Sequence, residues 1–327
     1  MLVSIVMINR NGGVYLREAV STLVQNFEQC AARIQDFEFI FVDNGSTDDS
    51  VAFLETSFNQ TPFRFRVIHE LEAGVNSARN AGLKAARGDY LIYTDNDLQF
   101  DPGWLKSYLD AFESNQNIRI FAGRVLVGKV DGKVPEWLDL TGPFSRPSIV
   151  VRCDNGPEKM TGKVGDYSVE GPVGPNMAFH KSVFETYGVF DTRFGLRPGS
   201  LVPGAEAEFF HRLTAHNEFF CYVPGACVRH PVKKEQLSKR YFTKRMEGIG
   251  RVQGRLQALD GFDAPRFFGV KRYLVKQLFN RWLLWLLSIF SFNPRKSFSM
   301  RCDIHQIIGQ MREDYDQHKR NSNRQSS

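Results

Sequence analysis

The stretch Tyr90-Leu-Ile-Tyr-Thr-Asp95-Asn96-Asp97-Leu98 decides how the chain reads. Its aromatic and β-branched residues make a short buried strand, which stops at two carboxylates separated by one residue. Acids at the end of a central strand are costly to desolvate unless a cation meets them. Mg²⁺ or Mn²⁺ fits this need: one or two carboxylates hold the ion and substrate phosphates complete its octahedron. An Asp-X-Asp standing alone is equally an ordinary polar junction between strand and loop, so the surrounding chain has to decide.

Upstream, Leu2 to Ile8 reads as a buried strand followed by the turn Asn9-Arg10-Asn11-Gly12-Gly13. Leu16, Ala19, Val20, Leu23 and Val24 recur at helical spacing. A second strand, Phe37 to Val42, runs into Asp43-Asn44-Gly45-Ser46-Thr47-Asp48; a helix to about Thr56 and a strand from Phe65 to His69 follow. Gly74 opens a small-residue helix, Ser77 to Ala86, that leads back to Tyr90. Strands alternating with helices at these intervals predict an α/β fold with a doubly wound, mostly parallel sheet. Ligands of such sheets bind beyond the carboxyl ends of the strands. Three strands end in polar clusters, at Asn9, Asp43 and Asp95, which favours one ligand crevice over three unrelated turns.

Downstream, Asp101 and Pro102 are expected to cap and open a helix, and Ile118 to Gly123 to form a strand. Residues 124–171 are Gly- and Pro-rich and irregular, a pattern typical of functional loops. Further strands are expected at Pro175 to Phe179 and Phe219 to Val223, with helices near Ser182 to Thr186 and Glu206 to Ala215, and a flexible loop over residues 195–200.

Charge divides the chain. Residues 1–231 hold 22 basic and 28 acidic side chains (−6), residues 232–301 hold 16 and 4 (+12), and residues 302–327 balance at 4 and 4, giving the net +6. A basic attachment on an acidic body suits an anionic membrane surface, nucleic acid or phosphorylated ligands. The five cysteines are scattered and form no Cys-X-X-Cys pair, as in a reduced, cytoplasmic compartment. The first residues read as a strand rather than a signal peptide.

Six ordered motifs over roughly residues 2–230 now carry a family resemblance: Ser4 to Asn11, Val42 to Asp48, Ala78-Arg79-Asn80-Ala81-Gly82, Asp95-Asn96-Asp97, Asn176 to Phe179, and Gly204-Ala205-Glu206-Ala207-Glu208. The chain resembles glycosyltransferase family 2, nucleotide-sugar-dependent enzymes of the GT-A fold. The resemblance implies a GT-A domain over 1–231, with a nucleotide-binding half (1–123) and an acceptor and catalytic half (124–231). It implies metal-dependent transfer of a sugar from a nucleoside diphosphate donor, such as a UDP-sugar, to a hydroxyl of a glycan or lipid-linked glycan. Inversion and a place in polysaccharide or surface glycan synthesis go with it; nucleic acid does not.

The same resemblance assigns residues. Ile8, Asn9, Arg10, Asp43, Arg79, Asp95 and Asn96 would form the nucleotide site, with Asp43 accepting from a ring N–H of the base. Asp97, Asp95 and His230 would hold Mn²⁺ or Mg²⁺. Glu206 is expected as the general base, with Glu208 the competing carboxylate; either acid alternatively caps a helix. The family commonly has Glu-Asp where this chain has Ala205-Glu206, so the carboxylate is kept on a side chain one methylene longer and a neighbouring acid is dropped.

Residues 232–312 read as a basic, amphipathic helical extension and 313–327 as a disordered tail. Within the extension, Trp282 to Phe292 is uncharged but far short of the ~20 residues that span a bilayer. It suits a helix at the inner face of a membrane, a homodimer contact or a buried core helix. Two other functions compete. A sugar-1-phosphate nucleotidylyltransferase needs a Gly-rich phosphate loop with a reactive basic residue after the first strand, which residues 9–13 supply poorly. The other is a catalytically degenerate nucleotide-sugar-binding protein, raised by Ala205. A nicotinamide enzyme fails for want of Gly-X-Gly-X-X-Gly.

Overall fold

A computed structural model describes residues 1–166, 168–199 and 202–325. In chain order the strands are β1 (Val3–Asn9), β2 (Phe37–Asp43), β3 (Phe65–His69), β4 (Tyr90–Asp95), β5 (Gln99–Phe100), β6 (Ile120–Val130), β7 (Met160–Lys163), β8 (Asn176–His180), β9 (Phe219–Val232), β10 (Arg266–Phe267) and β11 (Val270–Lys271). The α-helices are α1 (Gly13–Gln29), α2 (Ser50–Phe58), α3 (Val75–Ala85), α4 (Trp104–Ser114), α5 (Ser182–Tyr187), α6 (Ala207–Ala215), α7 (Lys239–Leu259), α8 (Arg272–Ile289) and α9 (Pro294–Gln325).

The described residues form two compact units. The first comprises 1–129, 151–198 and 205–231; the second comprises 130–150, 199–204 and 232–327. Residues 130–150, expected inside the acceptor half, therefore fold with the basic extension.

One sheet, ordered β3-β2-β1-β4-β8-β6-β9-β5 with β7 beside β9, supports the first unit. It is parallel from β3 to β4, as βα units dictate, and antiparallel where β8 meets β4 and β6 and where β9 meets β5 and β7. The central strands β1, β2 and β4 are buried almost throughout, so they read as continuous apolar runs. Helix α3 lies tight on the sheet because Gly82 has no side chain: a Cβ there would sit 2.3 Å from Val6 Cγ1.

Three expectations are corrected. Helix α4 is capped by Gly103 in the left-handed conformation, not by Asp101, whose carboxylate is taken by Arg229 at 2.9 Å. The irregular segment 124–171 contains the rest of β6 and all of β7. The tail expected to be disordered from residue 313 is helical through Gln325. The reason is burial: Glu313 accepts ion pairs from Arg251, Arg255 and Arg320, and Asp314 from Arg266 and Lys271. Ser200, in the loop expected to flex, and the last two residues lie outside the described residues.

In the second unit α7 and α9 pack backbone to backbone. A Cβ on Gly250 would meet the Gln306 carbonyl at 1.9 Å, and one on Gly309 the Glu247 carbonyl at 2.0 Å. Trp137, from the returning segment, packs its ring against Phe298 and Phe242 at 4.3 and 5.6 Å.

Candidate active site

Register places the polar strand ends side by side. Asn9 is level with Asp43, and Ile8 with Asp95, so the carboxyl ends of β1, β2 and β4 form one rim. Asn9, buried, ties them together: its amide donates to Asp43 Oδ1 (3.4 Å) and Ser46 Oγ (2.9 Å), and its carbonyl accepts from Asn96. Asp43 Oδ2 also accepts from the Ser46 N–H at 3.2 Å and faces His69 Nδ1 at 3.7 Å. Arg10 Nη1 donates to the Asn44 carbonyl (2.7 Å), while the Asn44 side chain fastens the Gly74 N–H at 2.8 Å. Ile8, Asn9, Arg10, Asp43 and Asn96 are thus neighbours along this rim.

The antiparallel pairing of Gln99 with Arg229 carries His230 alongside the end of β4. Donor atoms of Asp95, Asp97 and His230 all lie within 4.8 Å of one another, with His230 Nε2 3.9 Å from Asp97 Oδ1. His230 Nδ1 lies 3.0 Å from the Pro231 carbonyl. A carbonyl only accepts, so Nδ1 carries a proton and Nε2 is the nitrogen that faces the carboxylates. Two carboxylates and one imidazole suit Mn²⁺ or Mg²⁺ that keeps open positions for phosphate oxygens.

Burial raises the Asp95 carboxyl to about 6; Asp97 pushes it the same way, while Arg79 and His230 oppose and Glu206 adds to the rise. A raised carboxyl stabilises the fold at low pH, and that stabilisation is lost as pH rises through about 6 unless a cation replaces the proton. Mn²⁺ affinity should therefore climb with pH and level off above about 6, with proton release on binding. Calorimetric titration at several pH values measures it, and a flat affinity across this range contradicts the assignment.

The two candidate carboxylates separate cleanly. Glu206 stands at the N-cap of α6, half-buried, with Oε2 3.6 Å from Arg79 Nη1 and Oε1 accepting from the Gly174 N–H at 3.4 Å. Arg79 is itself buried in α3, and its ion pair is with Glu206 rather than with Asp43. Both groups act electrostatically on Asp95. Glu208 is buried in the first turn of the helix and paired to Arg212 at 2.6 Å, so its carboxylate is already committed.

Asn76 was not singled out by its sequence context. Its amide donates to the carbonyls of Ala205 (2.6 Å) and Asp191 (2.9 Å), clamping the segment that delivers Glu206. His69 beside Asp43 was missed as well. Only their places after Gly74 and at the end of β3 mark them.

The plan is a nine-stranded sheet with acids along one rim and a two-carboxylate, one-imidazole cluster. Residues 4–188 match the profile described as Glycosyl transferase family 2, and the chain belongs to that family. It is 29% identical over 291 residues to the chondroitin synthase of Escherichia coli, covering 82% of this chain and 40% of that protein. It is 32% identical over 115 residues to the uncharacterized glycosyltransferase EpsJ of Bacillus subtilis (strain 168), covering 35% and 31%. The chain spans between about a quarter and a half of the length of the curated relatives it matches. Among solved structures it is similar to the mannosyltransferase PcManGT from Pyrobaculum calidifontis in complex with GDP-Man and Mn²⁺. The TM-score there is 0.52 at 14% identity, over 93% of this chain and 69% of the other. It is also similar to GalNAc-T7 with UDP, GalNAc and Mn²⁺, at TM-score 0.51 and 15% identity, over 76% and 47%. The fold is GT-A, with a helical C-terminal region.

Proposed function

We propose that this chain transfers a sugar, with inversion, from a nucleoside diphosphate donor to a hydroxyl of a glycan or lipid-linked glycan. The observation that supports this most is the convergence of Asp95, Asp97 and His230 within 4.8 Å of one another, with Glu206 close enough to act on Asp95. The rim of Asn9, Arg10, Asp43 and Asn96 receives the nucleoside, and Asp43 accepts from a ring N–H of the base. Asp95, Asp97 and His230 hold Mn²⁺ or Mg²⁺. When bound, that ion neutralises the charge gathering on the departing diphosphate.

Glu206 takes the proton of the acceptor hydroxyl as its oxygen forms the new bond to the anomeric carbon. The bond from that carbon to the diphosphate oxygen breaks, its electron pair leaving with the nucleotide. Attack from the face opposite the leaving group inverts the centre. Arg79 and the Gly174 N–H hold the carboxylate in place through both oxygens, and Asn76 fixes the backbone that carries it.

A carboxylate at Asp43 pairs with the ring N–H of uracil, thymine or guanine; adenine and cytosine present no such group. The test is a thermal-shift screen with Mn²⁺, in which UDP, dTDP or GDP raises the melting temperature and ADP and CDP do not. The matching nucleotide-sugar is then followed for release of nucleoside diphosphate. A preference for ADP or CDP overturns the base assignment, and binding without any release reduces the chain to a nucleotide-sugar-binding protein.

A further inference from the structure

Helix α8 turns its packed side, marked by buried Leu274 and Ser288, toward α9 and leaves its apolar side bare. Phe279, Trp282, Leu283, Leu287 and Phe290 recur at intervals of three and four, forming a continuous stripe. Phe279 is 63% exposed, Leu287 60% and Phe290 77%. Stripes of this size on a soluble surface mark a contact. The turn that feeds α8 adds Phe268, 84% exposed, and the turn that leaves it adds Phe292, 93% exposed.

Charge identifies the occupant. From Ala264 to Cys302 the sequence carries eight Lys or Arg residues and no Asp or Glu. Arg272 and Lys276 lie along the N-terminal end of the stripe, and Arg295 and Lys296 follow its C-terminal end, all on the surface or half-buried. An isologous contact with a second copy would set like charges against one another, with no acid in the segment to answer them. A lipid surface answers both features, phosphate headgroups meeting the cations and acyl chains the aromatics. No described helix is long and apolar enough to cross a membrane.

We propose that the exposed face of α8, with the flanking Phe268 and Phe292, docks in the plane of an anionic membrane surface. The inference is independent of the reaction proposed above.

The full chain is sedimented with vesicles of phosphatidylcholine alone and of phosphatidylcholine with about one third phosphatidylglycerol. Binding is expected to the second only, to weaken at least about tenfold between about 0.1 and 0.5 M salt, and to be accompanied by a blue shift of tryptophan emission that Trp282→Phe diminishes. Leu287→Glu should lower vesicle affinity by more than about tenfold at an unchanged melting temperature. The double variant Arg272→Glu, Lys276→Glu, which leaves the apolar stripe whole, should do the same. No sedimentation with phosphatidylglycerol vesicles, or equal binding to both compositions, overturns the proposal. So does lipid-free self-association that Leu287→Glu abolishes without any vesicle binding, which would make the face an interface between copies.

Discussion

Asp97→Asn should reduce sugar transfer by at least about a thousandfold, because under the proposed reaction it would remove one anionic ligand from the ion that would carry the leaving-group charge. The substitution is isosteric, so the fold should persist. Its secondary effect has a definite sign. Asp97 is the second-largest cause, after burial, of the raised Asp95 carboxyl, and Asn carries no charge to repel it. The ion-free variant should therefore be more stable than wild type above pH 6, where wild type holds two neighbouring carboxylates. Adding Mn²⁺ with nucleoside diphosphate should raise the melting temperature of wild type but not of the variant. Turnover at the wild-type level would remove Asp97 from the metal site.

Glu206→Gln should lower kcat by about 10² to 10⁴, the usual worth of a positioned general base, while KM for the donor changes little. Glutamine keeps the contact to the Gly174 N–H and cannot accept the proton. The neighbouring acid gives the contrast. Glu208→Gln leaves Arg212 against a neutral partner and should register as lost stability, on the order of 1–3 kcal/mol, with turnover largely retained. Steady-state rates and melting curves on the two variants decide between them. A large kcat loss for Glu208→Gln with a normal Glu206→Gln would exchange the two roles.

The sequence revealed the rim of the sheet more readily than it revealed how the rim is wired. Strands β1, β2 and β4 are buried on both faces, so their apolar runs end visibly at Asn9, Asp43 and Asp95. His230 was legible only through the family resemblance, because what brings it to Asp97 is a two-residue strand, Gln99–Phe100, too short to leave a pattern. Asn76 and the partner of Arg79 depend on contacts across more than a hundred residues, which local spacing does not encode. Helix α4 misled for a different reason. Asp101-Pro102 is a good opening by composition, but Arg229 claims the carboxylate and Gly103 supplies the left-handed turn.

The tail misled through charge. A run of Lys, Arg, Asn and Ser looks unable to bury surface, yet Glu313 and Asp314 anchor the helix through four basic partners upstream, Arg251, Arg255, Arg266 and Lys271, and through Arg320. Nothing within residues 313–327 reports the four upstream partners.

The interleaving of the two units has a consequence for biosynthesis. Trp137 belongs with Phe298, 161 positions later, so its ring waits uncovered while the intervening chain is made. At common elongation rates that wait is roughly 10–30 s. The second unit can close only once α9 has been made, and a nascent chain halted before α9 would leave residues 130–150 as an aromatic segment open to chaperones.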